Sequence, residues 1–240
     1  MIDRNPLSYI NHFFSILSNN FKNIYLNSNI YNKKISRIYN QNFYYKPSSN
    51  LLGCLIKYEK KKNKIEDYSL GKIWTYNDIK KKDFKKLHSF FWLFSLDLKS
   101  SKKLTQSIIL NWIKKNNKYN YQSWELDITS KRIIALISNS KLTYEDSDIK
   151  YKIAFNEIIQ KQTNHIINEI KKSELIDDKM IGCAAIILVG LSYKDKVNYL
   201  GFGMNLLKKI IKFSFDNKNF PKSRNIKQLI FYLKYFILIR

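Results

Sequence analysis

Glycine and proline are scarce in this sequence, at 6 and 3 of its 240 residues. Both residue types supply the tight turns that many short strands require, so their scarcity argues against an all-β fold. The hydrophobic content of 45% is high enough for a buried core and argues against a disordered chain. The composition therefore favours helices joined by short polar loops.

Cysteine is rarer still. Cys54 and Cys183 lie far apart and form no CxxC motif, which argues against a disulfide framework and a cysteine-based zinc site. The sequence also lacks the GxGxxG, Walker A, HExxH and GxSxG motifs of nucleotide binding, metalloprotease and hydrolase chemistry. We therefore expect neither a metal ion nor a cofactor.

Long apolar runs are missing as well. The longest, Met180 to Leu191, is shorter than the roughly 20 residues that a helix needs to cross a bilayer. The N-terminal "MIDRNPLSYINHFFSIL" does not match a secretory signal, because an acid precedes the basic residue and Asn and His interrupt the apolar stretch. We expect a soluble chain without a membrane span, cytoplasmic by default, with the periplasm as the alternative.

Acidic residues are few, and 19 Asp and Glu against 43 Lys and Arg give a net charge of +24. Such a field attracts polyanions, whether nucleic acid, an anionic membrane surface or an acidic polysaccharide. The alternative is a compositional bias toward Lys, Asn, Ile and Tyr, with lysines on solvated faces. Because the sequence has no RNP-like segment or other nucleic-acid motif, nucleic acid is the less expected partner.

Helical spacing of apolar residues divides the chain into two parts. Residues 1–78 are predicted to hold a first helix over 7–26 and an irregular connection over 28–78, and residues 79–240 to hold seven successive helical segments. Short links between those segments predict an all-α fold of antiparallel helical hairpins. Segments 180–191 and 228–239 are apolar almost all round, which predicts that each is covered on most sides.

The stretch "SWELDITSKRIIALI" at 123–137 contains the first candidate binding residues. Asp127 is expected to be the N-cap of the helix that follows. Trp124 and Arg132 together could hold an acidic sugar, because an aromatic face stacks on sugar rings and a guanidinium binds a carboxylate or sulfate at two points. The alternative is that Lys131 and Arg132 pair with the nearby acids on the surface.

Several short motifs share an order that is found in one family. They are "IWTYN" at 73–77, "LHSFFWLFSLDLKS" at 87–100, "NWIKKNNKYNYQSWELDITSKRIIALIS" at 111–138, "YKIAFNEIIQKQTNHI" at 151–166 and "FPKSRNIKQLIFYLKYFILIR" at 220–240. The region over about 73–240 resembles the N-terminal α-domain of the heparinase II/III family, especially its alphaproteobacterial branch. The resemblance implies part of an incomplete α/α toroid, and cleavage of acidic polysaccharides by β-elimination.

The resemblance also implies site residues. Family clefts neutralise a uronate carboxylate with Asn, Arg or His, and the matching positions here divide into catalytic candidates (Asn225 and His88) and substrate-binding candidates (Trp124, Arg132, Arg224, Gln162 and His165). Each set has a structural alternative. Asn225 suits a helix N-cap, His88 suits a core histidine, and Gln162 with His165 suits a polar seam between helices.

The sequence departs from the family pattern before "SRN". The branch usually has Gly-Gly-His there, whereas this chain has "DNKNFPKSRN". The family's acid–base tyrosine and its C-terminal β-sandwich, a partner domain, are not found before Arg240. Three hypotheses follow: the N-terminal domain of a polysaccharide lyase, either active or inactive as this fragment; a non-catalytic basic helical module that binds a glycan or nucleic acid; or a structural scaffold.

Overall fold

The computed structural model describes residues 20–37, 43–44, 81–96, 101–193 and 198–240, and in these ranges the protein is all-α. Residues 20–27 are helical. The helices that follow are α1 Asn29–Ile35, α2 Lys81–His88, α3 Lys102–Asn116, α4 Leu126–Ser138, α5 Ser140–Thr143, α6 Ile149–Glu169, α7 Ile176–Ser192, α8 Tyr199–Ser214 and α9 Ile226–Leu238, with 3-10 turns at Phe91–Ser95 and Ile170–Lys172. Isolated antiparallel bridges join Phe43 to Tyr193 and Phe215 to Pro221.

Helix α7 lies at the centre of the fold. It packs against α4, α6, α8 and α9, and every residue from Met180 to Gly190 is buried. Its sequence is apolar on all sides, and a helix of that kind is stable only when neighbours cover its whole circumference. The prediction that 180–191 would be covered is confirmed.

Helices α7 and α8 form an antiparallel hairpin. Near the link between them, the two helices approach each other unusually closely. A Cβ on Gly190 would lie 2.6 Å from the backbone nitrogen of Leu200, and one on Gly203 would lie 2.5 Å from Ile187. The Cys183 thiol donates to the carbonyl of Gly203 at 3.3 Å. The two glycines therefore let the helices approach to within backbone contact near the link.

Helix α9 is covered less than its sequence predicted. Tyr232, Tyr235 and Leu238 are buried, whereas Ile226 and Ile230 are 65% and 50% exposed. Within the predicted segment 228–239, Ile230 and Leu233 are exposed and the other residues are buried or half-buried, so the prediction of cover on most sides is confirmed in part.

The N-terminal part contributes to the core. Helix α1 lies in the stretch expected to be an irregular connection, and it buries Tyr31 and Ile35. The amide of Asn164 on α6 donates to the carbonyls of Ile35 at 2.9 Å and Arg37 at 3.2 Å. Residues 7–19 of the predicted first helix and most of 38–78 lie outside the described residues.

Two helix boundaries differ from the predicted pattern. The apolar stripe from Phe84 to Phe94 is interrupted at Phe90, whose φ of 57° places it in the left-handed region. Asp127 is not the N-cap of α4; Glu125 holds that position without a side-chain hydrogen bond, and Asp127 lies in the first turn. Helix α2 therefore ends at His88, before the chain turn at Phe90.

A helix crosses a bilayer only when it is both long and apolar. None of the helices in the described ranges combines the length and the hydrophobicity that a membrane span requires. The helices pack as hairpins, and their arrangement as part of a toroid stays a prediction.

Two glycines of α7 provide a matched test of this packing. We expect Gly190→Ala to lower the free energy of unfolding by about 1–3 kcal/mol, because its new methyl group meets the backbone of Leu200, which cannot rotate away. Gly182→Ala should cost less, because its methyl group meets the terminal Cδ1 of Ile170 at 2.6 Å. Urea unfolding of both variants tests this, and an equal loss would contradict the backbone contact.

Candidate functional site

Arg132 is completely buried, with a relative exposure of 0%. Its Nη1 donates to the carbonyl of His88 at 2.7 Å, and its Nη2 donates to the carbonyl of Ser123 at 2.9 Å. Its Nε donates to Oε1 of Gln162 at 3.0 Å. One guanidinium therefore joins the end of α2, the segment before α4 and the middle of α6.

The positive charge of Arg132 is stabilised by backbone carbonyl dipoles and by an aromatic ring. Among the described residues, no carboxylate lies within ion-pairing distance of it. The His88 carbonyl is at the C-terminal end of α2, where the helix dipole is negative, and the Trp112 ring lies 4.2 Å from the guanidinium carbon. Burial lowers the pKa of Arg132 well below its usual value, but arginine starts high enough to stay charged at neutral pH.

His88 lies beside this guanidinium with a fixed tautomer. The indole Nε1 of Trp112 donates to Nδ1 of His88 at 3.1 Å, so the neutral ring carries its proton on Nε2. Phe84 stacks on the ring with a centroid distance of 4.0 Å. Burial and the charge of Arg132 lower the pKa of His88 to about 3. We call His88, Trp112, Ser123, Arg132 and Gln162 the arginine cluster.

His165 forms a second buried contact next to Trp124. Its Nε2 donates to the carbonyl of Trp124 at 3.0 Å, and its Nδ1 accepts from the hydroxyl of Tyr31 at 2.7 Å. The indole of Trp124 donates to the carbonyl of Asn116 at 3.1 Å. Burial lowers the pKa of His165 to about 4. Both ring nitrogens are used within the fold.

A cleft of about 280 Å³ opens above Trp124 and His165. We call it the tyrosine cleft; its lining residues are Lys22, Leu26, Tyr119, Tyr121, Trp124, Glu125, Leu126, His165, Glu169, Lys172 and Ser173. Trp124 and His165 are buried and form its floor, whereas Tyr121 is 61% exposed. The cleft therefore offers an accessible aromatic ring over a rigid polar floor.

Glu169 holds two lysines at the edge of this cleft. Its carboxylate lies 2.9 Å from Nζ of Lys22 and 2.8 Å from Nζ of Lys172. Burial alone would raise the pKa of Glu169, but the hydrogen bonds from the two lysines lower it overall. Two ammonium groups against one carboxylate leave this trio with one positive charge.

Arg224 and Asn225 belong to the exposed start of α9. Asn225 is the N-cap, and its Oδ1 accepts from the backbone nitrogen of Lys227 at 2.9 Å. Nη1 of Arg224 lies 2.7 Å from Asp216. Both side chains therefore have structural roles in the turn before α9.

The structure brings together five of the seven predicted site residues: His88, Trp124, Arg132, Gln162 and His165. All five are buried, although Trp124 and His165 reach the floor of the tyrosine cleft, and the catalytic and binding roles of all five stay predictions. Arg132 does not pair with the nearby acids, whereas Lys131 lies 3.3 Å from Asp127 as that alternative expected. Contacts of Arg224 and Asn225 with these five are not observed.

The accessible residues of the cleft were missed in the sequence. Tyr119 and Tyr121 stand in "NKYNYQSW", where aromatic residues alternate with Asn shortly before Trp124, and this alternation could have indicated a sugar-stacking surface. No sequence pattern indicates that Lys22 and Glu169 belong to the cleft, because only the fold brings them together. Within the described ranges, no cluster of three or more His, Cys, Asp or Glu could hold a metal ion.

Comparisons with known proteins were negative. No protein-family model, no curated protein and no solved structure matches this chain. The assignment of function therefore depends on the residues described above and on the motif resemblance.

Arg132 and its neighbour Lys131 provide a matched test of the arginine cluster. We expect Arg132→Ala to lower the free energy of unfolding by at least about 3 kcal/mol, because it removes the donor of hydrogen bonds to four buried acceptors. Arg132→Lys should recover little, since one ammonium cannot reach four diverging acceptors. Lys131→Ala should cost only about 0.3–0.5 kcal/mol. Urea unfolding followed by tryptophan fluorescence measures this, and equal losses at 131 and 132 would contradict it.

The two buried histidines predict acid sensitivity. The unfolded chain binds a proton at each histidine near an ordinary pKa of about 6.5, whereas folded His165 and His88 do so only near 4 and 3. Stability that is present above the unfolded pKa should therefore be lost as the pH falls toward the folded values, by up to roughly 1.4 kcal/mol per pH unit for each histidine.

Unfolding free energies measured between about pH 5 and 6.5 test this slope, because carboxyl groups of ordinary pKa contribute little there. His165→Gln removes one titrating ring and should reduce the slope by about half of its histidine part. A slope that this variant leaves unchanged would show that His165 is not the group responsible.

Proposed function

We propose that this chain is an α-helical sugar-binding domain of the heparinase II/III type, and that it holds an acidic polysaccharide in the tyrosine cleft. The observation that carries the proposal is the position of the exposed Tyr121 ring beside Lys22 and Lys172, above the floor of Trp124 and His165. An aromatic ring stacks on the apolar face of a sugar, and an ammonium binds its acidic group.

The electrostatics of the cleft support an acidic sugar in two ways. The net charge of +24 attracts a polyanion from a distance. Among the residues that line the cleft, Lys22 and Lys172 are matched in charge by Glu125 and Glu169, and Lys85, which lies 2.5 Å from Glu125, adds one further positive charge. The Glu169 carboxylate can accept hydrogen bonds from sugar hydroxyls.

The described histidines are better suited to structure than to proton transfer. His165 uses both nitrogens inside the fold, and burial lowers its pKa to about 4, far from the operating range of a general base near neutral pH. His88 is buried with a pKa of about 3. For this reason we place binding, rather than the chemical step, in this domain.

A second candidate function is β-elimination by the chain itself. It is favoured by the convergence of His88, Trp124, Arg132, Gln162 and His165 in one region, since the motif resemblance matches each of them to a family position. This candidate is the hypothesis that the chain itself is an active polysaccharide lyase. A direct measurement of catalysis tests it.

Lys172 and its neighbour Lys171 provide a matched test of the cleft. Calorimetric titration with heparin, polygalacturonate and neutral dextran should show binding of an acidic polymer that weakens steeply with salt. Tyr121→Ala and Lys172→Glu should each weaken it about tenfold. Lys171→Glu makes the same charge change outside the cleft and should have a much smaller effect.

The outcomes separate the hypotheses. Equal losses from Lys171→Glu and Lys172→Glu would show attraction by overall charge and contradict the cleft. Tighter binding of single-stranded RNA, unaffected by Tyr121→Ala, would favour a nucleic-acid module. Ultraviolet absorbance of an unsaturated uronate product, formed by the chain alone, would establish the lyase candidate.

A further inference from the structure

A second cavity lies on the other side of the Ile170–Lys172 turn from the tyrosine cleft. It is a groove of about 520 Å³ between that turn, the start of α7 and the face of α8 that runs from Phe202 to Phe213. We call it the α7–α8 groove; its apolar lining consists of Ile170, Ile176, Phe202, Leu206, Ile210 and Phe213. Phe213 is 69% exposed, which leaves a large aromatic ring in contact with water at the edge of the groove.

The groove follows from the geometry of the α7–α8 hairpin. Gly190 and Gly203 bring the helices into backbone contact near the link, whereas larger side chains occupy the opposite end. Phe202, Leu206 and Phe213 recur at helical spacing and place one apolar face of α8 along the groove. The helices are thus close at one end and separated by an open, apolar space at the other.

The rim of the groove is positively charged. Lys171, Lys179 and Lys209 line it against a single acid, Glu174, so three positive charges face one negative charge. The lining therefore combines an apolar floor with a cationic rim. That combination is complementary to a molecule with an apolar body and an anionic head.

The volume of the groove favours a small molecule over a protein as the occupant. Small-molecule sites are typically about 300–1,000 Å³, and this groove lies within that range. A stable protein partner would instead need a footprint of about 800 Å². A single-chain amphiphile fits both the volume and the charge.

We propose that the α7–α8 groove binds a single-chain anionic amphiphile of the long-chain carboxylate class. The alkyl chain lies on the floor formed by Leu206, Ile210 and Phe213, and the carboxylate lies among the rim lysines, Lys209 foremost. This site is separate from the tyrosine cleft and does not depend on the function proposed for it.

Calorimetric titration of the full chain with dodecanoate, below its critical micelle concentration, tests the proposal. We expect one saturable site per chain. Dodecyltrimethylammonium has the same alkyl chain with the opposite head charge and should bind at least about tenfold more weakly. Sedimentation velocity at several protein concentrations should show the same species throughout.

Two pairs of variants localise the site. Lys209→Glu should raise the Kd for dodecanoate about tenfold, whereas Lys208→Glu, its exposed neighbour outside the groove, should change it little. Phe213→Ala should weaken binding more than Ile211→Ala, because Ile211 does not line the groove. Circular dichroism verifies that each variant keeps its helical content.

Several results would overturn the proposal. Equal effects of Lys208→Glu and Lys209→Glu, binding of many molecules without saturation, or equally tight binding of the cationic amphiphile would each do so. Dimerisation at higher concentration that Lys209→Glu abolishes would identify a second copy of the chain as the occupant instead. Absence of dodecanoate binding would also reject it.

Discussion

The buried guanidinium of Arg132 is the constraint on which the surrounding structure depends. A charge taken out of water is tolerated only when polar groups replace its hydration. Here the replacements come from the carbonyls of His88 and Ser123 and the amide of Gln162. Because these acceptors belong to separate segments, the end of α2, the chain before α4 and the middle of α6 are held in one arrangement.

In this arrangement, buried residues support the floor of the tyrosine cleft, and other residues of the cleft are exposed to solvent. The arginine cluster and the Tyr31–His165 hydrogen bond fix the position of Trp124, and the Tyr119 ring packs against Trp124 and His165 with centroid distances of 6.3 and 5.3 Å. Tyr121 and the lysines around Glu169 remain open to solvent at that rigid floor. A binding surface gains precision when its floor is held by packing and hydrogen bonds of this kind.

Sequence patterns predicted the parts of the fold that depend on local periodicity. The all-α class and the burial of 180–191 followed from apolar spacing, since a helix without a polar face must be covered. The break at Phe90 was not predictable, because a left-handed φ is usually signalled by glycine or asparagine and phenylalanine gives no such signal. The exposed face of α9 was missed because apolar content indicates what can be buried, not what covers it.

The sequence predicted which residues lie together in the candidate site but not that they are buried. Trp124, Arg132 and His165 do lie in one region, yet the default expectation for arginine is a surface position. Its burial depends on acceptors 30 and 44 residues away in sequence. Tyr119 and Tyr121 lie close to Trp124 in sequence. Only the fold shows that these two tyrosines are more exposed to solvent than Trp124, which is buried.

The attachment of α1 has a consequence for the order in which the molecule assembles. Tyr31 reaches His165 across 134 residues, and Asn164 reaches Ile35 across 129. Closing so long a loop costs more chain entropy than closing the α7–α8 hairpin, whose helices are consecutive. Contacts between distant segments form slowly for that reason. We therefore expect the hairpins to provide the surface first and the N-terminal segment to dock onto it later, bringing Lys22 and Leu26 to the wall of the tyrosine cleft.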